Sequence, residues 1–596
     1  MTRTKVYLLA IFLVLSSFVA LAQKSTPTYD INTLAGKVAS VNGTDGLQIR
    51  FSALIEEESD FDPFDFLAPD GATLNDPADG LTVLPPAVTV NVDTNGAAQN
   101  ETTVAVDPNN PNRLVVGAND YVAGTWSCMI SGNPCSLFGD GYSGTYFSND
   151  GGATWCCNSS DPAHIGTLIP GIEHLTGGQY DAGGDPVLAF DSRGNVFYAG
   201  LGFNRASAPN TVAVNKGTFD GAGNLSWGAP TFINQTNAPS TLNDKEWIVA
   251  DSNPNSPFRD RIYLSWTRFL FNPVQGNYVQ SPIAFVYSTD GGKTFSTPQL
   301  IVGNVLYGQG SRPAVGPDGS VYVFWDGSTR LATFDSIWVT KSTDGGVTFS
   351  KPVKVSDLLD VIPIANAAFR DDSFPAAAVA PNGDVYVSWT TLLSDSTGGL
   401  CARRTNTNCH SATVYSKSTD GGSHWSAPSL VLPDLDASTR TPVGYPAPDG
   451  LTAPAPRRVD TNWPAVGVAP NGTVYIGSYA ADTVSPWQTC TTFSPLGSVS
   501  CDVTGPYIHN AKLNYYVRNV TAGISTKAST KAINTRYQFR GGFIGDYTAL
   551  AVGSDSKVHA VWTDTNNAQN ISWWFGSHFV PPVLASQQDV VMRTLP

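Results

Sequence analysis

The 596-residue chain is expected to be all-β, a ring of repeated four-stranded sheets, and three observations predict this. Gly (56) and Pro (41) stand beside abundant Ser, Thr and Asn, while nearly all the acidic residues are Asp, so helix formers are scarce and turn formers plentiful. One octapeptide returns along the chain as SNDGGATW from Ser148, STDGGKTF from Ser288, STDGGVTF from Ser342 and STDGGSHW from Ser418. A longer pattern, an apolar strand, a turn of the PDG or PNG type and an alternating strand, recurs at intervals of roughly 60 to 90 residues, a spacing suited to four-stranded units.

Taken in order, residues 1–22 read as a secretory signal peptide, with Arg3 and Lys5 ahead of an apolar run and Ala20-Leu21-Ala22 as the cleavage site. No later segment holds the roughly 18 apolar residues of a membrane-spanning helix, so a secreted or periplasmic product without a membrane span is expected. Residues 23–95, containing EEESDFDPFDF, form an acidic, loosely structured lead-in whose end is placed to supply a strand that closes the ring. Residues 96–580 are the ring itself, and 581–596 a C-terminal tail.

Within 96–580 the hairpins begin at Asn100, Asp185, Glu246, Ser311, Phe374, Trp463 and Asp546. This predicts a single β-propeller of seven blades, or of six if one hairpin belongs to an inserted element. The octapeptide follows four of these hairpins and is placed as the turn between third and fourth strands. Its Asp (150, 290, 344, 420) can accept backbone N–H groups, its glycines can take positive φ, and its aromatic (Trp155, Phe295, Phe349, Trp425) can plug the hairpin. Four equivalent turns on separate blades cannot converge on one substrate, so these Asp are braces rather than catalysts.

The formal charge of −15 tells against a nucleic acid or anionic membrane partner. Eight cysteines in an exported chain favour disulfides, and spacing pairs Cys401 with Cys409 and Cys490 with Cys501. Cys128, Cys135, Cys156 and Cys157 leave their connectivity open. The seven His lack ligand spacing and no calcium or phosphate loop is present, so no metal or cofactor is expected.

The innermost strands of a propeller converge on its axis, so residues that open them surround the natural pocket. Glu101, Asp185, Glu246, Arg312, Trp463 and Asp546 with Tyr547 fall there. Two of the only three Glu beyond the lead-in, Glu101 and Glu246, are among them. Carboxyls, a cation and aromatics at one opening suit a carbohydrate site, where acids move protons and rings face sugars.

The pattern S-x-D-x-G-x-T-[WF] is the Asp-box, or BNR repeat, and its recurrence resembles the sialidase-like β-propellers. That resemblance implies a glycoside hydrolase acting on a glycan or glycoprotein; the chain is expected to be a monomer. The segment DYTALAVGSDSKVHAVW resembles the one in which that family carries a nucleophilic Tyr. By it Tyr547 is the nucleophile; a phenol needs a neighbouring base, for which Glu246 or Glu101 is placed, with Asp185 or Asp546 as candidate acid. Arg312, Glu101, Trp463 and Arg540 then contact substrate. Sialidases also carry an RIP arginine motif near the propeller start; it is absent here, which tells against sialic acid. The alternative is a non-catalytic propeller that binds glycans or proteins.

Overall fold

The computed structural model describes residues 28–42, 86–91, 98–121, 141–156, 167–331, 335–361, 371–404, 408–440, 457–483, 512–534, 543–571 and 583–596, with short paired segments at 129–130, 133–134, 490–492, 499–501, 574–575 and 578–579. Seven antiparallel sheets follow one another along the chain. Their innermost strands are Gln99–Asp107, Ala182–Phe190, Thr241–Ala250, Tyr307–Val315, Ala376–Val379, Thr461–Val468 and Ala549–Val552. Each touches the next and the last returns to the first, so the protein is a seven-bladed β-propeller. Among the described residues no helix is long and apolar enough to cross a membrane.

The ring is held by apolar cores, one between every pair of adjacent blades. Leu264 and Trp266 of blade three meet Phe197 and Leu201 of blade two, and Trp562 of blade seven stacks on Tyr515 of blade six at 5.3 Å. A blade buries both faces this way, which is why buried residues occur on both faces of its strands.

Closure uses both ends of the chain. Val88–Thr89 pairs with Val591 and Met592 as the outermost strand of blade seven. Val583–Leu595, which the sequence boundaries put in a tail, is the third strand of that blade and pairs along Val558–Ile571. Its buried Val590 and Met592 pack with Val90 and Val561, an apolar alternation that needs a sheet. Among the described residues of the lead-in, the helix Leu34–Asn42 inserts Leu34, Val38 and Val41 into the core between blades two and three.

The repeated octapeptide is the same turn each time. In blade four, Ser342 Oγ donates to Asp344 Oδ1 (2.8 Å), and Asp344 accepts the Thr348 N–H (2.9 Å) and hydroxyl (2.5 Å). In blade five His424 replaces the Thr, its Nδ1 lying 2.6 Å from Asp420 Oδ2. The closing aromatics fill the cores, as Phe349 does against Phe285 at 4.7 Å. The Cys401–Cys409 disulfide forms, and Cys490 faces Cys501 across a two-stranded ladder. Cys128, Cys135 and Cys157 lie outside the described residues.

A buried ionic link ties blade five to the segment leading into blade six. His410 is flanked by Asp395 (2.7 Å, Nδ1) and Asp436 (2.6 Å, Nε2); Arg458 also binds Asp436, and Asp460 lies nearby. Burial alone would lower its pKa, but the bonds to Asp436 and Asp395 outweigh it and raise the value above 6.5. The link is therefore complete below pH 6.5 and is lost as pH climbs through the raised value. His410→Gln is expected to cost about 3 kcal/mol at pH 6 and less at pH 9, read from urea midpoints; an equal loss at both would count against the imidazolium.

Candidate active site on the propeller axis

The inner strands share a defect. Against their second strands, five of them shift register by one residue, between Asn100 and Thr103, Gly184 and Val187, Asp244 and Trp247, Gln309 and Arg312, and Asn462 and Ala465. Such a bulge re-aims the side chain that precedes it. Here that residue takes a left-handed conformation: Glu101 (φ 53°), Asp185 (55°), Lys245 (53°), Gly310 (65°) and Trp463 (50°). Counted from the hairpin turns, Phe374 and Tyr547 hold the same position in blades five and seven. For the non-glycine residues this geometry costs about 1 to 2 kcal/mol each. At Gly310 a Cβ would run into the Phe374 ring, so glycine is required.

The seven equivalent positions form one layer across the axis, centred on Lys245. Its ammonium lies 2.7 Å from Asp546, 2.9 Å from Glu101 and 3.2 Å from Asp185, gathering blades seven, one and two onto blade three. It also sits 5.2 Å from the Tyr547 ring centroid and 5.8 Å from that of Phe374. Asn119 cross-links the acids, donating to Glu101 Oε2 (2.8 Å) and accepting the Asp185 N–H (2.9 Å). Gly545, at φ 105°, lets Asp546 approach: a Cβ there would meet the Glu101 backbone at 2.8 Å.

The electrostatics follow from burial. Every member is less than a tenth exposed. Burial would lower the Lys245 pKa, but Asp185, Asp546 and Glu101 outweigh it and hold the ammonium charged. Burial, then Asp185, raise Glu101 to about 8 against the pull of Lys245, so this carboxyl exchanges its proton near neutral pH. Burial, then Glu101, Asp185 and Glu246, push the Tyr547 phenol well above 10. Its hydroxyl donates to the Pro186 carbonyl (3.2 Å).

The remaining candidates divide. Glu246 follows Lys245 in the bulge and lies close enough to Tyr198 of blade two to raise the pKa of that phenol. Neither of its carboxyl oxygens has a hydrogen-bond partner among the described residues, and burial, then Asp185, raise its pKa well above 4.5. Trp463 is 2% exposed, its N–H bound to Asp372 (2.9 Å) and its ring against Tyr479. Arg312 lies one layer below Lys245, its guanidinium 3.0 Å from the Trp247 ring centroid. Arg540 lies outside the described residues. Lys245 lies in the strand opening 244–246 that the sequence places at the mouth but has no role in that reading; it occupies the same place in its hairpin as Glu101 and Asp185, a correspondence that appears when the hairpins are aligned by their turns.

No protein-family model matches the chain, and no curated protein matches it. Among solved structures it is similar to a polysaccharide lyase described as an ulvan lyase, at 11% identity over 86% of this chain and 98% of that one, TM-score 0.39. It is similar to an α-L-arabinanase of Penicillium chrysogenum complexed with arabinobiose, at 13% identity over 70% of this chain and 98% of that one, TM-score 0.34. It is also similar to the NanB sialidase of Streptococcus pneumoniae, at 12% identity over 86% of this chain and 70% of that one, TM-score 0.33. At these identities and scores the likeness says nothing of substrate or of catalytic residues.

Proposed function

We propose that the protein is an exported, glycan-acting β-propeller that works by acid/base chemistry where its inner strands open on the axis. The observation that carries this reading is the convergence of Glu101, Asp185, Lys245, Asp546 and Tyr547 from four blades, three of them on strained backbone. Strain held at one layer of a repeated scaffold is a mark of a working site. In this reading Lys245 positions the carboxyls and Glu101 gives or takes the proton, its pKa of about 8 being suited to both. Tyr547, held neutral, donates a hydrogen bond or proton. The nucleophilic role that the family resemblance implies requires its proton to pass to Glu101, Asp185 or Glu246, the carboxyls that act on it.

Export is part of the proposal, supported by the leader-like residues 1–22 and by the Cys401–Cys409 disulfide. The carbohydrate class rests on the Asp-box resemblance together with the acid/base centre.

One observation favours the second reading, a propeller that binds without reacting. The cluster is buried throughout and the Tyr547 hydroxyl is occupied by Pro186, so Lys245 can serve as a bolt across the ring. A screen of purified protein against fluorogenic neutral glycosides, uronides and sialosides, with ultraviolet detection of unsaturated uronic products, separates the two. Turnover abolished by Glu101→Gln supports the first reading; absence of turnover on every substrate, with glycan-array binding intact, supports the second.

A further inference from the structure

Beneath the Lys245 layer the axis holds a cavity of about 380 Å³, and its lining includes residues of all seven inner strands. Trp247, Arg312, Thr103 and Thr548 bound it at the level of the bulges, and Ser252 and Asn253 at the level of the hairpin turns. Towards the turns the lining grows more accessible: Val249, Ala250, Val315, Val379 and Val468 are partly exposed, whereas Arg312 and Pro313 are buried. The cavity thus opens on the face carrying the octapeptide turns, opposite the strand openings where the acids gather.

Arg312 is the anomaly in this cavity. It is 8% exposed, yet among the described residues its one hydrogen bond runs from Nε to the Pro375 carbonyl (3.1 Å) and no carboxylate lies within ion-pair distance. Its other contact is the face of Trp247. The two terminal nitrogens have no hydrogen-bond partner among the described residues, and they are not sealed from the cavity as buried orphan atoms are. Burial lowers its pKa to about 9, with Tyr547 and Asp372 opposing, so the group is cationic at neutral pH. A guanidinium out of water with no carboxylate in ion-pair contact among the described residues is costly, and its planar fork of N–H donors fits a carboxylate. Valine, leucine, isoleucine and alanine dominate the remaining lining by residue type, while most of the surface open to the cavity is polar, so the site suits a small carboxylate rather than one with a large apolar body.

We propose that this axial cavity is a binding site for a small organic carboxylate, which enters from the turn face and pairs with Arg312 above the Trp247 ring. The site is independent of the glycan chemistry proposed above, since it is reached from the other face and is read by binding without any glycan substrate.

Thermal unfolding of the full chain with sodium benzoate or butyrate, against sodium chloride and sodium sulfate at matched ionic strength, tests it. The carboxylates are expected to raise the melting temperature by about 2 °C at a hundredfold excess over their Kd, in a saturable manner. Arg312→Gln should abolish that rise. Ala378→Leu keeps the arginine and narrows the cavity at a partly exposed lining position, and should weaken binding at least tenfold. A shift no larger than that of chloride, or one that persists in both variants, overturns the proposal. A response to sulfate or chloride alone would replace the organic carboxylate with an inorganic anion and overturn the stated ligand class.

Discussion

Lys245→Met is expected to destabilise the protein by about 3 to 5 kcal/mol at pH 8, because it removes a buried cation in ion-pair contact with Glu101, Asp185 and Asp546 together. Methionine fills a similar volume, so the loss is electrostatic rather than a cavity effect. Three carboxyls left together out of water cannot all stay ionised, and their folded-state pKa values rise above those of the unfolded chain. Stability conferred on such groups by protonation is present at low pH and lost as pH rises, so the deficit should shrink towards pH 5. Urea midpoints at pH 5 and pH 8 measure this. Adding Glu101→Gln to the variant should recover part of the loss at pH 8, since it removes one of the confined charges. Equal destabilisation at both pH values, with no recovery in the double variant, would show that Lys245 contributes packing and not charge.

The second large effect concerns turnover. Glu101→Gln is expected to lower the rate on any glycan the protein processes by about 100- to 10,000-fold, the range of a lost general acid or base. Tyr547→Phe should fall in the same range if its hydroxyl carries a proton in the reaction. With Glu101 near 8, a reaction that uses it as an acid declines as pH rises past that value. The residual activity of the Gln variant should lose this alkaline limb, a signature that mere destabilisation cannot produce. Asp344→Ala, which breaks a turn far from the axis, serves as the folded control with wild-type turnover. Wild-type rates in both axial variants would remove Glu101 and Tyr547 from the mechanism.

Much of this arrangement was legible in the chain, and the exceptions share a cause. The hairpin repeats gave the blade number, and the octapeptides gave turns whose bonds are the same at Asp150, Asp290 and Asp344. Looking at the residues that open each inner strand brought Glu101, Asp185, Asp546 and Tyr547 to one place. The same reading chose Glu246 over its neighbour, because Glu is rare here and Lys is an unremarked surface residue in most strands. The bulge between Asp244 and Trp247 adds Lys245 to the axial cluster and keeps Glu246 within electrostatic reach of Asp185 and Tyr547 as well as Tyr198. A shift of one residue exchanges the two faces of a strand, and nothing local in KEW announces it. Trp463 was likewise a plausible sugar platform until the fold buried its ring against Tyr479.

By itself the sequence determined what repeats: alternating strands, glycine-bearing turns braced by Asp, and seven hairpins that must bury both faces against neighbours. Those are short-range matters of propensity and periodicity, settled within about twenty residues. Only the tertiary structure decided which side chains meet on the axis, that both chain ends share blade seven, and that Arg312 faces a cavity whose described lining holds no carboxylate. Such outcomes depend on ring closure and bulge register, which bring together residues as far apart as Glu101 and Asp546. No local pattern encodes a distance of that kind, because it exists only once the last blade has met the first.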